Sequence, residues 1–422
     1  MKSFKYSNSI LINLLIVSIV PFLIWGPFFP DLIVSISALY FLYYIFKNKK
    51  FYIFKNPPLI IFIIFSIFCI LLSLFVAKNK ILSLESSLFY FRIGIFSCFI
   101  WYLIDKDKSI LTYFYYVITL CFLVLTIDGY HQFFFEEGIF KNRIFYPGRI
   151  SSLFGNELIL GSYLSRLFPL LFALFLVKKK QNFEIYLIGL LFILVDILVF
   201  LSGERSAFFF LNLSTIFIII LIKEYQKFRL VTFIIAIISV FILSLNSSKL
   251  NQRMFKGPIE DMGITNNSKE FIIFSNAHDS LIRTAYNMFK DKPVLGHGPK
   301  MFRIICENKK YATGVYACST HPHNFYIQLL AETGIVGFSF LFCALVYVIY
   351  TALKQFKTII FKQKRHITDY QVCLLAGILI TVWPLVPNGN FFNNWLMIVY
   401  SLPVGFYLQS IYSKKKLKKI NK

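Results

Sequence analysis

The sequence predicts an all-helical, polytopic membrane protein, and three observations predict it. Of 422 residues, 57% are hydrophobic and only 15% are charged, against about 25% charged in ordinary soluble domains. Apolar runs of about 20 residues, the length of a helix crossing a bilayer, recur along the whole chain. Lysine-rich loops alternate with loops that lack that excess. A soluble enzyme, a disordered chain and a secreted disulfide scaffold are excluded, because no single core could bury this much apolar surface.

Taken in order, the runs give about twelve spans: 9–26, 30–46, 57–76, 86–104, 109–128, 158–177, 184–202, 206–223, 229–246, 325–350, 369–387 and 393–412. The first is too long for a cleaved leader and is followed at once by another span. The chain thus divides into nine spans over 1–246, a large outer loop over 247–324, and three spans with a basic tail over 325–422. The net charge of +24 follows the same division. Seven segments hold 25 of the 44 basic residues: the amino end, 47–55, 106–108, 178–180, 223–229, 354–365 and 414–422. The positive-inside rule makes these segments cytoplasmic, with both termini inside, and no nucleic-acid partner is needed to explain the charge.

The long outer loop has its own pattern. Leu281, Ile282, Ala285, Tyr286 and Phe289 recur at helical spacing, with Asp279 or Ser280 placed to cap the start and Pro293 to end it. A short amphipathic helix over the outer mouth of the bundle is expected. Cys306 and Cys318 lie in the same loop. In an oxidising compartment they can form a disulfide, although spacing alone does not decide it. The other five cysteines fall in spans, and no zinc-like spacing occurs.

Four outer segments carry chemistry. The most informative is THPHNFYIQLLAETG, residues 320–334. His321 and His323 have no helical i, i+4 partner and no acid cluster to complete a metal site. They read either as polar residues at a span start, or, for an imidazole near neutral pKa, as a general base. Glu332 stands inside the apolar run, where an acid is either functional or held by internal hydrogen bonds. LSGERSAF, residues 201–208, presents Glu204 and Arg205, which could simply pair with each other. DSLIRTAYNMFKDKPVLGHGPKMF, residues 279–302, carries Arg283 beside an apolar stripe, a place where a lone arginine often only snorkels. RIFYPGRISSLFGNELILGSYL, residues 143–164, places Arg143 and Arg149 before a span.

Arginine usage links these segments. The chain has ten Arg among its 44 basic residues, and only Arg229 and Arg365 lie in the lysine-rich segments. The planar arginine fork suits paired hydrogen bonds to phosphate oxygens. An outer-face site for a phosphate-bearing lipid follows as an expectation.

In this order, the segments from Arg149 through HNFYIQLLAETGIVGF, with the WPLVPNGNFFNNW turn at 383–395, resemble the O-antigen ligase and polymerase family of bacterial envelope enzymes. The resemblance implies a twelve-span inner-membrane glycosyltransferase acting on the periplasmic face without metal, nucleotide or other cofactor. It would move a glycan from an undecaprenyl-diphosphate carrier to the lipid A core in a ligase, or to a second lipid-linked glycan in a polymerase, and the ligase reading is preferred. By motif position, His323 would be the catalytic base. Arg205 and Arg283 would hold the diphosphate, with Arg149 a further candidate, and Asn324 and Glu332 would join the substrate site. A lipid-linked oligosaccharide flippase is the chief rival from another class, and a structural subunit of the cell-division rod family is a third reading. Against a transporter stand the absence of an internal repeat and the clustering of polar chemistry on one face.

Overall fold

The computed structural model describes residues 2–140, 148–178, 181–264 and 272–420; Arg143 and Tyr146 lie outside them. Among the described residues every regular element is helical. Helices α1 (Lys2–Val17) and α2 (Ile19–Trp25) are divided only at Ser18 and end at Gly26, whose φ of +127° suits glycine. Pro27 then leads into α3 (Phe28–Lys47). Helix α4 (Pro57–Phe75) opens on two prolines, where a missing N–H costs nothing. Its successor α5 (Lys80–Ser87) is capped by Asn79, whose Oδ1 accepts from the Leu82 amide. There follow α6 (Phe91–Lys106), α7 (Ser109–Phe135), α8 (Leu160–Val177), α9 (Asn182–Leu201), α10 (Arg205–Leu221) and α11 (Gln226–Asn246). The loop region holds α12 (Ser248–Asn251), a π turn (Gln252–Lys256), α13 (Gly257–Asp261), α14 (Asn276–Asp291) and α15 (Phe302–Ile305). Helices α16 (Phe325–Ile360), α17 (Asp369–Thr381) and α18 (Asn394–Ile420) complete the chain.

Nine helices among the described residues are long and apolar enough to cross a membrane. Three of the twelve expected spans, at 9–26, 206–223 and 369–387, fall instead on shorter apolar helices. The expected span at 86–104 belongs to a longer apolar stretch, Lys80–Lys106, that comprises α5 and α6.

Packing follows the membrane pattern of apolar outside and small or polar inside. On α11, Val231, Ile234, Ile235, Ile238, Phe241 and Ile242 are exposed, while Arg229, Thr232, Ala236, Val240 and Ser244 are buried. Helix α8 lies at the centre, with all but a few of its residues buried. Its Pro169 meets Gly377 of α17 and Pro403 of α18, and a Cβ on Gly377 would touch both prolines at 3.4–3.6 Å.

Arg229 corrects one sequence reading. It belongs to α11, where it is fully buried, and is not a charge of the cytoplasmic loop. Its Nη1 and Nη2 donate to the two oxygens of Asp196 on α9 at 2.8 and 3.0 Å, and Nη2 also donates to Thr215 on α10 at 2.7 Å. The pair ties three helices. Removing one partner from such a pair costs about 3–5 kcal/mol, because the other charge is left buried alone.

The loop helix α14 starts earlier than Asp279. Ser275 caps it, with its Oγ accepting from the His278 amide. Leu281, Ala285 and Met288 pack against Phe302, Cys306, Tyr311 and Ala331. Cys306 and Cys318 are joined, with Cα atoms 5.2 Å apart. The loop is also stitched into α16. At Gly334 (φ +64°, ψ −168°) that helix breaks, which frees backbone groups on either side. The amide of Ile335 donates to the Pro293 carbonyl at 2.8 Å. The carbonyls of Ala331 and Glu332 accept from the amides of His297 and Gly298 at 3.1 and 2.7 Å. A Cβ on Gly334 would lie 2.2 Å from the Val294 oxygen.

Candidate functional site

The site is built from helix ends. Between α9 and α10 the chain turns through Gly203 (φ +67°), and Glu204 and Arg205 then part. The Glu204 carboxylate turns back to the open start of α8. It accepts from the Gly161 amide at 2.6 Å, the Ser162 amide at 3.1 Å and the Ser162 hydroxyl at 2.7 Å. An anion at a helix N-terminus satisfies orphan amides and the helix dipole together. Burial pushes this carboxyl's pKa up, against the pull of those hydrogen bonds and of Arg149 and Arg166.

Arg205 opens α10 and turns toward the loop. Its Nε donates to the Arg253 carbonyl at 2.8 Å, and its Nη1 pairs with Asp261 at 3.2 Å. The simple Glu204–Arg205 pair considered from sequence does not form. Arg253 returns a bond from its Nε to the Gly203 carbonyl at 3.3 Å, so the turn and the loop lace together. Burial, with Arg149 and Arg205 nearby, lowers the Arg253 pKa. Arg166, one turn into α8, is buried; its Nε donates to the Tyr400 hydroxyl at 3.0 Å, and its guanidinium lies over the Phe210 and Tyr400 rings.

The histidines come from the other side. His323 has φ +54°, a left-handed conformation that is uncommon outside glycine and marks an over-determined position. Asn388 holds it from both sides: its amide donates to the His323 carbonyl at 2.9 Å, and its Oδ1 accepts from the Phe325 amide at 3.0 Å. Asn324 is the cap of α16, accepting from the Tyr326 and Ile327 amides while its Nδ2 donates to the Pro384 carbonyl at 2.7 Å. The ring of His321 lies 4.1 Å from that of His323, and the ring of His278 lies 5.6 Å from it. Burial lowers the pKa of all three, that of His321 to about 3. His323 therefore stands neutral near pH 7, with a lone pair able to take a proton.

These groups line one cavity of about 1360 Å³. Arg149, Arg166, Arg205, Arg253 and Arg303 face it with His278, His321 and His323. Glu157 and Glu204 are its acids, and Glu204 is already bonded to α8. Leu23, Ile24, Trp25, Phe209 and Trp395 give it an apolar wall. Among the described residues, no group of three His, Cys, Asp or Glu side chains is arranged to hold a metal ion.

Residues 188–342 match the O-antigen ligase family model. The family resemblance expected from the ordered motifs is supported by that match. It implies a multi-pass membrane glycosyltransferase-like enzyme, of the O-antigen ligase or polymerase kind, with lipid-linked glycans as substrates. A search of curated proteins finds no match. The O-antigen ligase stretch carries Arg205, Arg253, Arg303 and all three cavity histidines, while Arg149 and Arg166 reach the cavity from outside it.

Of the residues singled out from sequence, Arg149, Glu204, Arg205, His321 and His323 meet at the cavity, and Arg283, Asn324 and Glu332 do not line it. The Arg283 Nε pairs with Asp279 on its own helix at 2.5 Å, and its side chain is about half exposed. Asn324 is used as the helix cap. Glu332 is wholly buried, accepting from the Phe302 amide and the Gln328 side chain, each at 3.0 Å. Sequence reasoning missed Arg166, Arg253, Arg303 and His278. The one available signal was that His278 immediately precedes the DSLIRTAY motif.

Proposed function

We propose that this protein transfers an O-antigen glycan from undecaprenyl diphosphate to a hydroxyl of the lipid A core, at the periplasmic face of a bacterial inner membrane. The observation that carries the reading is the convergence of five arginines and a neutral, geometrically constrained histidine on one cavity with an apolar wall. The orientation is supported by the opposite end of the bundle. Helix α10 starts at the cavity and ends at Leu221, beside Lys223, Arg365 and Asp369 of the basic loops.

His323 takes the proton of the acceptor hydroxyl as its oxygen attacks the anomeric carbon. The bond from that carbon to the diphosphate oxygen breaks on the opposite face, and its electron pair leaves with undecaprenyl diphosphate. The anomeric centre inverts. Negative charge grows on the leaving diphosphate, and fixed guanidinium groups stabilise growing charge without reorganising. Arg149 and Arg205 hold that diphosphate, with Arg253 and Arg166 beside them. Arg283 supports the grip from outside the lining, through the helix that presents His278. Asn324 and Glu332 act on the substrate indirectly, by fixing the start of α16 and the loop against it. The diphosphate is already a good leaving group, so neither ATP nor a metal is required.

The test is a deletion strain complemented with wild type or His323→Ala and examined by lipopolysaccharide gel. Loss of long chains with accumulation of lipid-linked polymer, reproduced by His323→Ala at equal protein level, supports a ligase. A core bearing one repeat identifies a polymerase instead. If purified protein in proteoliposomes moves lipid-linked glycan across the bilayer and joins nothing to an acceptor, the enzyme reading fails.

A further inference from the structure

The cavity arginines are not alike. Arg205 shares one Nη with Asp261 in a partly exposed pair, Arg253 donates to Gly203, and Arg166 donates to Tyr400. Arg303 lines the same cavity, yet among the described residues its guanidinium makes no hydrogen bond or ion pair, and its Nε is buried without a partner. Glu332, an acid on the neighbouring α16, already accepts from Phe302 and Gln328. An unpaired, partly buried arginine costs free energy unless a ligand completes it.

Its position is equally specific. Arg303 and His321 line the cavity together with Arg205 and His278. The His323 ring lies 4.1 Å from that of His321 and 5.6 Å from that of His278. Arg205 and Arg303 reach the cavity from separate elements, α10 and α15. If the diphosphate of the donor lies on the Arg205 side, the acceptor approaches His323 from the His321 side. His321 is buried; its Nδ1 bonds the Thr320 hydroxyl at 2.9 Å, its ring lies beside the Asn388 backbone, and its Nε2 makes no hydrogen bond of ordinary geometry.

The geometry points to a second anion subsite. Arg303 grips an anionic group, a phosphate or a sugar carboxylate, on the acceptor saccharide close to the attacking hydroxyl, and His321 hydrogen-bonds the same sugar. The enzyme therefore selects acidic acceptors. This inference rests on the donor and base assignments proposed above.

The experiment is a transfer assay with the full-length protein in proteoliposomes, varying donor and acceptor separately. The acceptor glycolipid is used as isolated, after phosphatase treatment, and after amidation of its carboxylates. Arg303→Gln is expected to raise the acceptor KM about tenfold or more, the scale of a lost charge-assisted pair, with the donor KM nearly unchanged. One of the two treated acceptors should show the same loss with wild type and no further loss with Arg303→Gln, which identifies the anion. Arg303→Lys should recover part of the affinity, separating charge from folding. The inference is overturned if Arg303→Gln raises the donor KM instead, if wild type uses both treated acceptors as well as the native one, or if Arg303→Gln behaves as wild type. If wild type joins no glycan to any acceptor, the functional reading itself falls.

Discussion

Glu204→Gln is the sharpest test of how the site is held. The carboxylate accepts three hydrogen bonds from two consecutive residues at the start of α8, at 2.6, 2.7 and 3.1 Å. An amide of the same shape keeps one acceptor oxygen and turns a donor toward an N–H or O–H. At least one charge-assisted bond is lost and the others weaken. With about 1.5–3 kcal/mol for a hydrogen bond to a charged group, the expected destabilisation is about 2–4 kcal/mol. The effect also reaches the chemistry: Ser162 and Arg166, one turn apart on α8, both face the cavity, so a shifted helix start moves Arg166. The assay pairs thermal unfolding of detergent-solubilised protein with transfer kinetics. The variant should unfold several degrees lower and lose at least about tenfold in kcat/KM. Asp261→Asn, which removes only a partly exposed pair with Arg205, should cost less than about 1 kcal/mol. If Glu204→Gln and Asp261→Asn are equally mild, the capping argument is refuted and Glu204 is only a surface charge.

Three further outcomes can be checked. Because burial lowers the His323 pKa, the base is neutral above that value and protonated below it. The transfer rate should therefore be flat across neutral pH and fall only on the acid side, below the ordinary histidine pKa of about 6.5; a profile still rising between pH 7 and 8 would contradict this. Gly334→Ala places a methyl 2.2 Å from the Val294 oxygen in a backbone region that is almost confined to glycine and costs another residue about 1–3 kcal/mol. It should raise protease sensitivity between 293 and 298, and unchanged proteolysis would mean the break tolerates a side chain. Cys306→Ser opens a link across a 12-residue separation, worth about 3 kcal/mol by chain entropy; unchanged mobility on non-reducing gels relative to wild type would argue that no bond forms.

Much of the fold was legible because a bilayer imposes one length and one polarity on each span. What escaped depended on contacts between distant residues. Arg229 follows Lys223 and Lys227 in sequence and so reads as one more loop charge, yet its partner Asp196 stands 33 residues earlier on a neighbouring helix. Glu204 and Arg205 read as a pair because they are adjacent, but the helix starting at Arg205 sends them to different partners. Glu332 could be read either way; the amide it accepts from, Phe302, lies across the loop. The site was legible where a motif concentrates chemistry, as at His323. It was illegible where single arginines arrive from separate elements, as with Arg166 on α8, Arg253 in the π turn and Arg303 on α15.

The break at Gly334 also sets an order of events during synthesis. Pro293, His297 and Gly298 leave the ribosome before the residues at 331–335 with which their backbone groups will bond. At about 5–20 residues per second, those groups wait on the order of a few seconds, paired only with water. Cys306 and Cys318 both lie within the waiting segment, so their link can close first and shorten the chain that must find its place. Docking then requires α16 to arrive beside the loop, and with it the His323 that its cap holds. The proposed base is thus fixed late, after the arginines of α8, α10 and the π turn have been made, and Asn388 and Tyr400, which hold His323 and Arg166, arrive later still. A nascent chain stalled before residue 331 would carry the arginines with neither a fixed base nor the Tyr400 that holds Arg166.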